Sequence, residues 1–289
     1  MTSAVASDTG VYYSTGREHD LSSAEAWHRL DTSSGDDACG VVLGVTGAEG
    51  ALAWSASDGL RVVRLTRGSL DQPGLTRPGP VHHHPVAVPA SAGAPLVALL
   101  TDGALDVLWS PDRHTVHRLN ERPGIPAGPA EPRPELALRG ERLGTLDIAL
   151  ESPKTAWLVA TTERGALLLA RWDLLYDVHE PWARPRCPLP TVRRAVVANV
   201  RGIPVVFVAA GEGRILAADA RDAAADRAQW HVVEVPAGSR GTATDVIAAA
   251  DCDGRAWLAG AAHGRLWSTP LARTGQRIVC ESVTEATVD

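Results

Sequence analysis

The chain repeats one pattern of hydrophobic and polar positions. The stretch ALAWSASDGLRVVRL, which begins at Ala51, contains an apolar run, a short polar turn that ends in glycine, and a second apolar run. The same order recurs in PLVALLTDGALDVLW, AWLVATTERGALLLARW, PVVFVAAGEGRILAAD and AWLAGAAHGRLWSTP. Because glycine adopts positive φ without a steric clash, each turn predicts a tight β-hairpin. The turn glycines are Gly59, Gly103, Gly165, Gly213 and Gly264.

Further strand candidates flank the hairpins. An apolar stretch precedes each one, in GVVLGVT, PVAVPAS, LDIAL, AVVANV and DVIAAA, and others follow in HTVHRL, QWHVVEVP and QRIVCESV. The turn glycines are 44, 62, 48 and 51 residues apart, and a four-stranded propeller blade takes about 40 to 50 residues. Stacked blades bury the faces that one blade cannot bury alone. We therefore predict an all-β fold, a single β-propeller with five four-stranded blades, or with six as the alternative.

Three segments resemble the repeats of WD40-type propellers. SASDGLRVVRL, TDGALDVLWSPDRHTVHRL and ARWDLL are similar to that hairpin, in which Ser or Thr precedes the turn, Gly closes it, and a Trp-Asp pair ends the third strand. Trp172 and Asp173 form the Trp-Asp pair. The resemblance implies a degenerate, WD40-like propeller over residues 40 to 285. The hydrogen-bonded tetrad of the family is not carried over, since the units lack a convincing upstream Gly-His.

Two regions depart from the repeat. Residues 1–35 are predicted to be an N-terminal segment, and residues 36–289 the propeller domain. GVYYSTG and AWHRLD in the first segment are predicted either to complete the last blade and close the ring, or to belong to an incomplete sixth blade. LSSAEAWHRL also fits a short helix with Ser22 as its N-cap and Glu25 three residues later. The Pro-rich connection at residues 120–144 excludes a central strand and is either functional or disordered.

Charge and composition exclude some function classes. The formal net charge is −6 and the pI is about 5.9, whereas non-specific binding of nucleic acid requires excess Lys and Arg. The sequence has no apolar run as long as a membrane span, and its first residues do not resemble a secretion signal. Its four cysteines form no CxxC pair. We therefore expect a cytoplasmic protein without nucleic acid, membrane, metal or cofactor.

One face of the predicted propeller collects the candidate site residues. In an antiparallel blade, the turns between second and third strands emerge on the same side as the crossovers between blades. The residue before the turn glycine varies among Asp, Arg, Glu and His, and the VHHHPV crossover adds two histidines on one side of an extended segment. His82 and His84 have a metal-capable spacing if a third ligand such as His263 approaches, but the motif alone is weak. The candidates are Asp58, His82, His84, Asp102, Arg164, Glu212 and His263.

The remaining sequence signals leave three function hypotheses. Arg184, Arg186, Arg193 and Arg194 form a basic loop that either binds an anion or is simply solvated. GxSxG, HExxH and Walker sequences are absent. The default hypothesis is a non-catalytic interaction or scaffold module with a protein partner. The alternatives are a hydrolase or lyase with a central-channel active site, and a lectin that binds a small ligand or sugar.

Overall fold

The fold is built almost entirely from antiparallel sheets. The computed structural model of the protein describes residues 3–7, 10–14, 27–29, 40–46, 49–67, 76–88, 95–101, 103–125, 127–209, 214–233, 245–252, 255–262, 265–274, 277–281 and 284–287. These residues divide between two compact units, Met1–Ala137 and Leu138–Asp289. Within the described ranges, no helix has the length and apolar character needed to cross a bilayer.

The described part of the first unit contains three antiparallel sheets. The first sheet consists of β1 (Ser3–Ser7), β2 (Gly10–Ser14) and β3 (Trp27–Arg29). The second consists of β4 (Gly40–Thr46), β5 (Glu49–Ala56), β6 (Gly59–Arg67) and β7 (Thr76–His84). The third consists of β8 (Leu96–Thr101), β9 (Ala104–Trp109), β10 (Val116–Glu121) and β11 (Glu131–Arg133). Within each sheet, strands that follow one another in the chain pair side by side.

The described part of the second unit contains three more sheets. One consists of β12 (Leu143–Ser152), β13 (Thr155–Thr162), β14 (Leu167–Asp173) and β15 (Val178–His179). The next consists of β16 (Arg194–Val200), β17 (Ile203–Ala209), β18 (Ile215–Asp219) and β19 (His231–Val232), with the short helix α1 (Ala220–Ala224) after β18. The last consists of β20 (Asp245–Cys252), β21 (Arg255–Ala262), β22 (Arg265–Thr274) and β23 (Arg277–Cys280), and β24 (Thr284–Thr287) also pairs with β22.

The strand β17 shows how the sheets of the second unit stack. Successive side chains of a strand point to opposite faces, and β17 is apolar on both. Val206 and Val208 pack in one hydrophobic cluster with Trp157 of β13. Phe207 packs in another cluster with Trp267 of β22. A strand buried on both faces loses the apolar–polar alternation of a half-exposed strand, and this is why the sequence has continuous apolar runs.

The turn glycines have the predicted backbone conformation where they are described. Gly59, Gly103 and Gly165 have φ values of 151°, 80° and 82°, a region that side chains with a Cβ rarely adopt. At Gly59 a Cβ would also lie 2.2 Å from the carbonyl oxygen of His84. Gly213 and Gly264 lie outside the described residues. The predicted positive φ of the turn glycine is thus confirmed at the three described hairpins.

The third sheet differs from the predicted strand order. PVAVPAS was expected to form its first strand, but Pro85–Val88 lies outside any strand and residues 89–94 are not described. The hairpin at Gly103 therefore joins the first and second strands of this sheet, whereas at Gly59 and Gly165 it joins the second and third. The fourth strand is β11, from the Pro-rich segment. It lies at the edge of the sheet, where Pro132 leaves no ladder hydrogen bond unmade.

The N-terminal segment and the histidine run are also strands. The first residues form their own three-stranded sheet, and Trp27–Arg29 is a strand, not the end of a helix. The proposed cap at Ser22 lies outside the described residues. The VHHH segment belongs to β7, so it is the edge strand of the second sheet and not a crossover loop. The described residues thus form six sheets, one more than the five hairpin repeats.

Candidate functional site

His82 and His84 meet a buried carboxylate that the sequence analysis missed. They are two residues apart on β7, and both contact Glu121 at the end of β10 in the neighbouring sheet. His82 Nδ1 lies 3.0 Å from one carboxylate oxygen of Glu121, and His84 Nε2 lies 3.0 Å from the other. The Glu121 side chain is only 3% exposed, whereas that of His82 is 49% exposed. The imidazole of His82 therefore links the buried carboxylate of Glu121 to the surface of the protein.

The charges around Glu121 favour its ionised form. Burial alone would raise the pKa of this carboxyl, but the hydrogen bond from His84 and the interactions with His82 outweigh it, so the pKa is lowered. Arg64 adds a cation, because its Nε lies 3.6 Å from the carboxylate. Its guanidinium also donates to the Glu121 backbone carbonyl over 2.9 Å. An ionised Glu121 is an acceptor only, so both imidazoles donate to it.

Asp58 belongs to a separate, exposed contact at the hairpin turn. Arg61 lies 3.1 Å from its carboxylate, and His83, between the two histidines just described, lies 3.4 Å from it. The hydrogen bond from Arg61 is the main reason that the pKa of Asp58 is lowered. The side chain of Asp58 is 55% exposed, and ion pairs this exposed contribute little to stability. Asp58 thus contacts Arg61 and His83, whereas His82 contacts Glu121.

The other candidates lie in the second unit or outside the described residues. Arg164 is an exposed turn residue of the second unit. Asp102, Glu212 and His263 lie outside the described residues, and with them the proposed third metal ligand. Among the residues that the structure describes, no group of three or more His, Cys, Asp or Glu side chains is arranged to hold a metal ion.

The arginine-rich loop forms ion pairs within the second unit. Arg184 donates to both oxygens of Glu141, over 3.1 and 2.8 Å. Arg186 lies 3.3 Å from Asp226. These two arginines are therefore neutralised by carboxylates of the protein, which favours the interpretation as a solvated structural loop over an anion site.

Asp147 is a second carboxylate that the sequence analysis missed. It lies on β12 and accepts a hydrogen bond of 2.8 Å from the backbone N–H of Val197 on β16 in the next sheet. Desolvation raises its pKa to about 7, against the opposing effects of backbone N–H donors and the charge of Arg194. The only sequence signal for it is a carboxylate in the apolar run LDIAL. A side chain that titrates near neutral pH is of interest for function as well as for stability.

A cleft of about 310 Å³ opens in the second unit where α1, β19, β22 and β23 approach one another. Its apolar lining comes from Ile203, Val205, Ala218 and Ile278. Its polar lining comes from Asp219, Asp222, Arg227, Gln229, His231 and Arg273. A cavity in which several polar groups converge beside apolar side chains is a candidate small-molecule site. Its volume is at the lower end of the usual range, about 300 to 1,000 Å³.

His231 joins the two sheets that form the cleft. Its Nε2 accepts a hydrogen bond of 3.0 Å from the backbone N–H of Ile278 on β23. An accepting ring nitrogen carries no proton, so His231 is neutral in this arrangement. Burial is the main cause that lowers the pKa of His231, and the charge of Arg277 acts in the same direction. His231 lies in QWHVVEVP, which was predicted to be a strand, but the sequence contained no signal that this strand meets β23.

Sequence comparisons find no relative, but comparisons of structure do. No protein-family profile matches the chain, and a search of curated proteins finds no match. The Aleuria aurantia lectin, described as a six-bladed β-propeller with a novel fucose recognition mode, matches with a TM-score of 0.58. The match has 14% identity and covers 99% of this chain and 94% of the lectin. The chain is a β-propeller.

Two further solved propellers match, one a lectin and the other an enzyme. A lectin from Burkholderia pseudomallei matches with a TM-score of 0.59 and 14% identity, over 97% of this chain and 78% of that lectin. A GH43 glycoside hydrolase with engineered xylanase and arabinofuranosidase activities matches with a TM-score of 0.50 and 12% identity, over 86% of this chain and 53% of the enzyme. At such identities the likeness concerns the fold. The resemblance to WD40-type repeats stays a prediction.

Proposed function

We propose that this propeller is a non-catalytic protein that binds a neutral sugar in the cleft of the second unit. The lining of that cleft is the observation that carries the proposal. Asp219 and Asp222 carry two negative charges, and Arg227 and Arg273 two positive ones, so the formal charges of the lining cancel. A charged ligand gains little from such a site, whereas sugar hydroxyls find both acceptors and donors.

The contacts within the lining support a binding role for its carboxylates over a role in proton transfer. Asp219 accepts a hydrogen bond of 2.8 Å from the backbone N–H of Arg221, and Asp222 lies 3.7 Å from Arg227. A glycosidase needs one carboxyl that donates a proton and a second that acts as nucleophile or base. Because both carboxylates are engaged by neighbouring donors, we favour the lectin hypothesis over the enzyme hypothesis for this cleft.

The structural neighbours support a small sugar as the ligand. Two of the three solved propellers described above are lectins, and the one from Aleuria aurantia recognises fucose. From the sequence, a protein scaffold was the default hypothesis, because fold alone does not imply function and the chain contains no clear catalytic motif. The cleft changes that preference towards a small ligand.

Isothermal titration with methyl α-L-fucoside and a panel of other neutral monosaccharides tests the proposal. We expect saturable binding of at least one sugar in the millimolar to micromolar range. The variants Gln229→Ala and Arg273→Ala should each weaken that binding about tenfold, because each removes hydrogen bonds made to the ligand. The control Arg139→Ala removes an exposed arginine of the same unit that does not line the cleft. The proposal fails if no sugar binds the folded protein, or if the cleft variants bind as well as the control.

A further inference from the structure

A turn in the second unit exposes three large apolar side chains together. The segment Leu175–Val178 lies in the connection between β14 and β15, and Val178 is the first residue of β15. Tyr176 is 74% exposed, Leu175 61% and Val178 56%. Among the described residues, five large hydrophobic side chains are more than half exposed, and three of them belong to this turn. Single exposed apolar residues are common, but a contiguous group marks an interaction surface.

The backbone of the Leu175–Val178 turn is held in one conformation. The Asp173 carboxylate accepts hydrogen bonds from the backbone N–H groups of Leu175 and Tyr176, over 2.9 and 3.1 Å. The indole of Trp172 donates to Asp177 over 3.1 Å. Asp177 itself has a φ of 54°, a strained value that neighbouring contacts must maintain. A surface that is ordered before binding loses less conformational entropy when a partner docks.

Charge identifies the kind of partner. Residues 173–180, DLLYDVHE, contain three carboxylates and no Lys or Arg. The adjacent Arg171 is already engaged, since it lies 3.7 Å from Glu180 and 3.8 Å from Glu151. A second copy of this chain carries a net charge of −6, so like charges oppose self-association at this turn. An anionic lipid surface is disfavoured for the same reason.

We propose that the Leu175–Val178 turn is a docking surface for a basic amphipathic helix of a partner protein. Tyr176 and Leu175 pack against the apolar face of the helix, and the Lys or Arg side chains that border this face meet Asp173 and Asp177. The docking surface goes beyond the proposed sugar binding, and it lies in a different sheet from the cleft. Aromatic anchors within a charged rim are the usual energetic centre of such interfaces.

Two synthetic helical peptides provide the test, one with a leucine face bordered by lysines and the other with the same face bordered by glutamates. Fluorescence anisotropy with labelled peptides measures binding to the full chain at about 50 mM and about 300 mM NaCl, since salt screens such contacts. We expect saturable binding of the Leu/Lys peptide that weakens at the higher salt, and no binding of the Leu/Glu peptide. The double substitution Leu175→Ser with Tyr176→Ser should weaken binding at least about tenfold.

The control Val232→Ser removes an apolar side chain that is 57% exposed elsewhere in the same unit, and it should leave peptide binding unchanged. Failure of the wild type to bind the Leu/Lys peptide overturns the proposal, as does equal binding of the Leu/Glu peptide or an equal loss in Val232→Ser. Concentration-dependent dimerisation that the double substitution removes would assign the turn to a second copy instead. Sugar titration of the same double variant should match that of the wild type, which keeps this proposal distinguishable from the sugar site.

Discussion

Glu121 and Asp147 are both carboxylates that connect one sheet to the next, yet their environments act in opposite directions. Glu121 of the first unit meets two imidazoles and a guanidinium, and its pKa is lowered. Asp147 of the second unit meets mainly backbone N–H groups, and desolvation raises its pKa to about 7. Burial penalises both ionised side chains, so the combined strength of hydrogen-bonding and charged partners decides the sign of the pKa shift. At neutral pH, ionised Glu121 therefore stabilises the first unit, whereas ionised Asp147 destabilises the second.

Removing the Glu121 side chain should have the largest effect. Glu121→Ala leaves His84 and Arg64 beside a cavity without their acceptor, and we expect a loss of about 3 kcal/mol in the free energy of unfolding. Urea denaturation at pH 7 measures it. The control Glu163→Ala removes a carboxylate that is 39% exposed and pairs with Arg142, and it should cost less than about 0.5 kcal/mol. Similar losses of unfolding free energy in the two variants would show that Glu121 stabilises its unit no more than an exposed carboxylate does.

Gly59 supports the same group through the backbone of β7. Gly59→Ala would place a Cβ 2.2 Å from the carbonyl oxygen of His84 and force an unfavourable φ, so the backbone at His84 must move and its contact with Glu121 is disturbed. We expect a loss of about 2 kcal/mol. Gly124→Ala is a matched control, because Gly124 has a φ of 71° but no atom within 4 Å of the added Cβ. Thermal unfolding should show a larger loss of stability in Gly59→Ala than in Gly124→Ala. Equal losses would mean that the unfavourable φ alone, and not the contact with His84, causes the effect.

Most of the architecture could be predicted from the sequence, but little of these sites could. Apolar runs around Gly59, Gly103 and Gly165 predicted hairpins, because local backbone geometry and burial on both faces leave a direct mark on composition. The predicted order of strands in the third sheet was wrong, since residues 85–88 of PVAVPAS are as apolar as a strand but lie outside any strand. His82 and His84 were named, but Glu121 was not. Their contact depends on how two sheets are placed, and no local pattern records that.

Asp147 provides a test of the opposite case, in which the ionised carboxylate is expected to destabilise the folded unit. Asp147→Asn keeps an oxygen that accepts the N–H of Val197 but removes the charge. The folded pKa of Asp147 is raised to about 7. Its stabilising protonated form is therefore fully present below the unfolded pKa, and the stability is lost as pH rises towards 7. We expect Asp147→Asn to add about 1 to 2 kcal/mol at pH 8 and nothing near pH 3, measured by urea denaturation at both values. Destabilisation at pH 8 would contradict the assignment.

The two histidines allow the finest comparison, because they contact the same carboxylate from different depths. His84 is 16% exposed and His82 49%, so His84→Ala should cost about 1 kcal/mol and His82→Ala less than about 0.5 kcal/mol at pH 7. The lowered pKa of Glu121 contributes stability that is present above its unfolded value and is lost as pH falls through the folded one. Without His84 the folded pKa moves back up, so the stability of His84→Ala should change less between pH 5 and pH 2 than that of the wild type. Unfolding free energies across that range measure the difference, and parallel pH profiles would show that His84 does not hold the charge of Glu121.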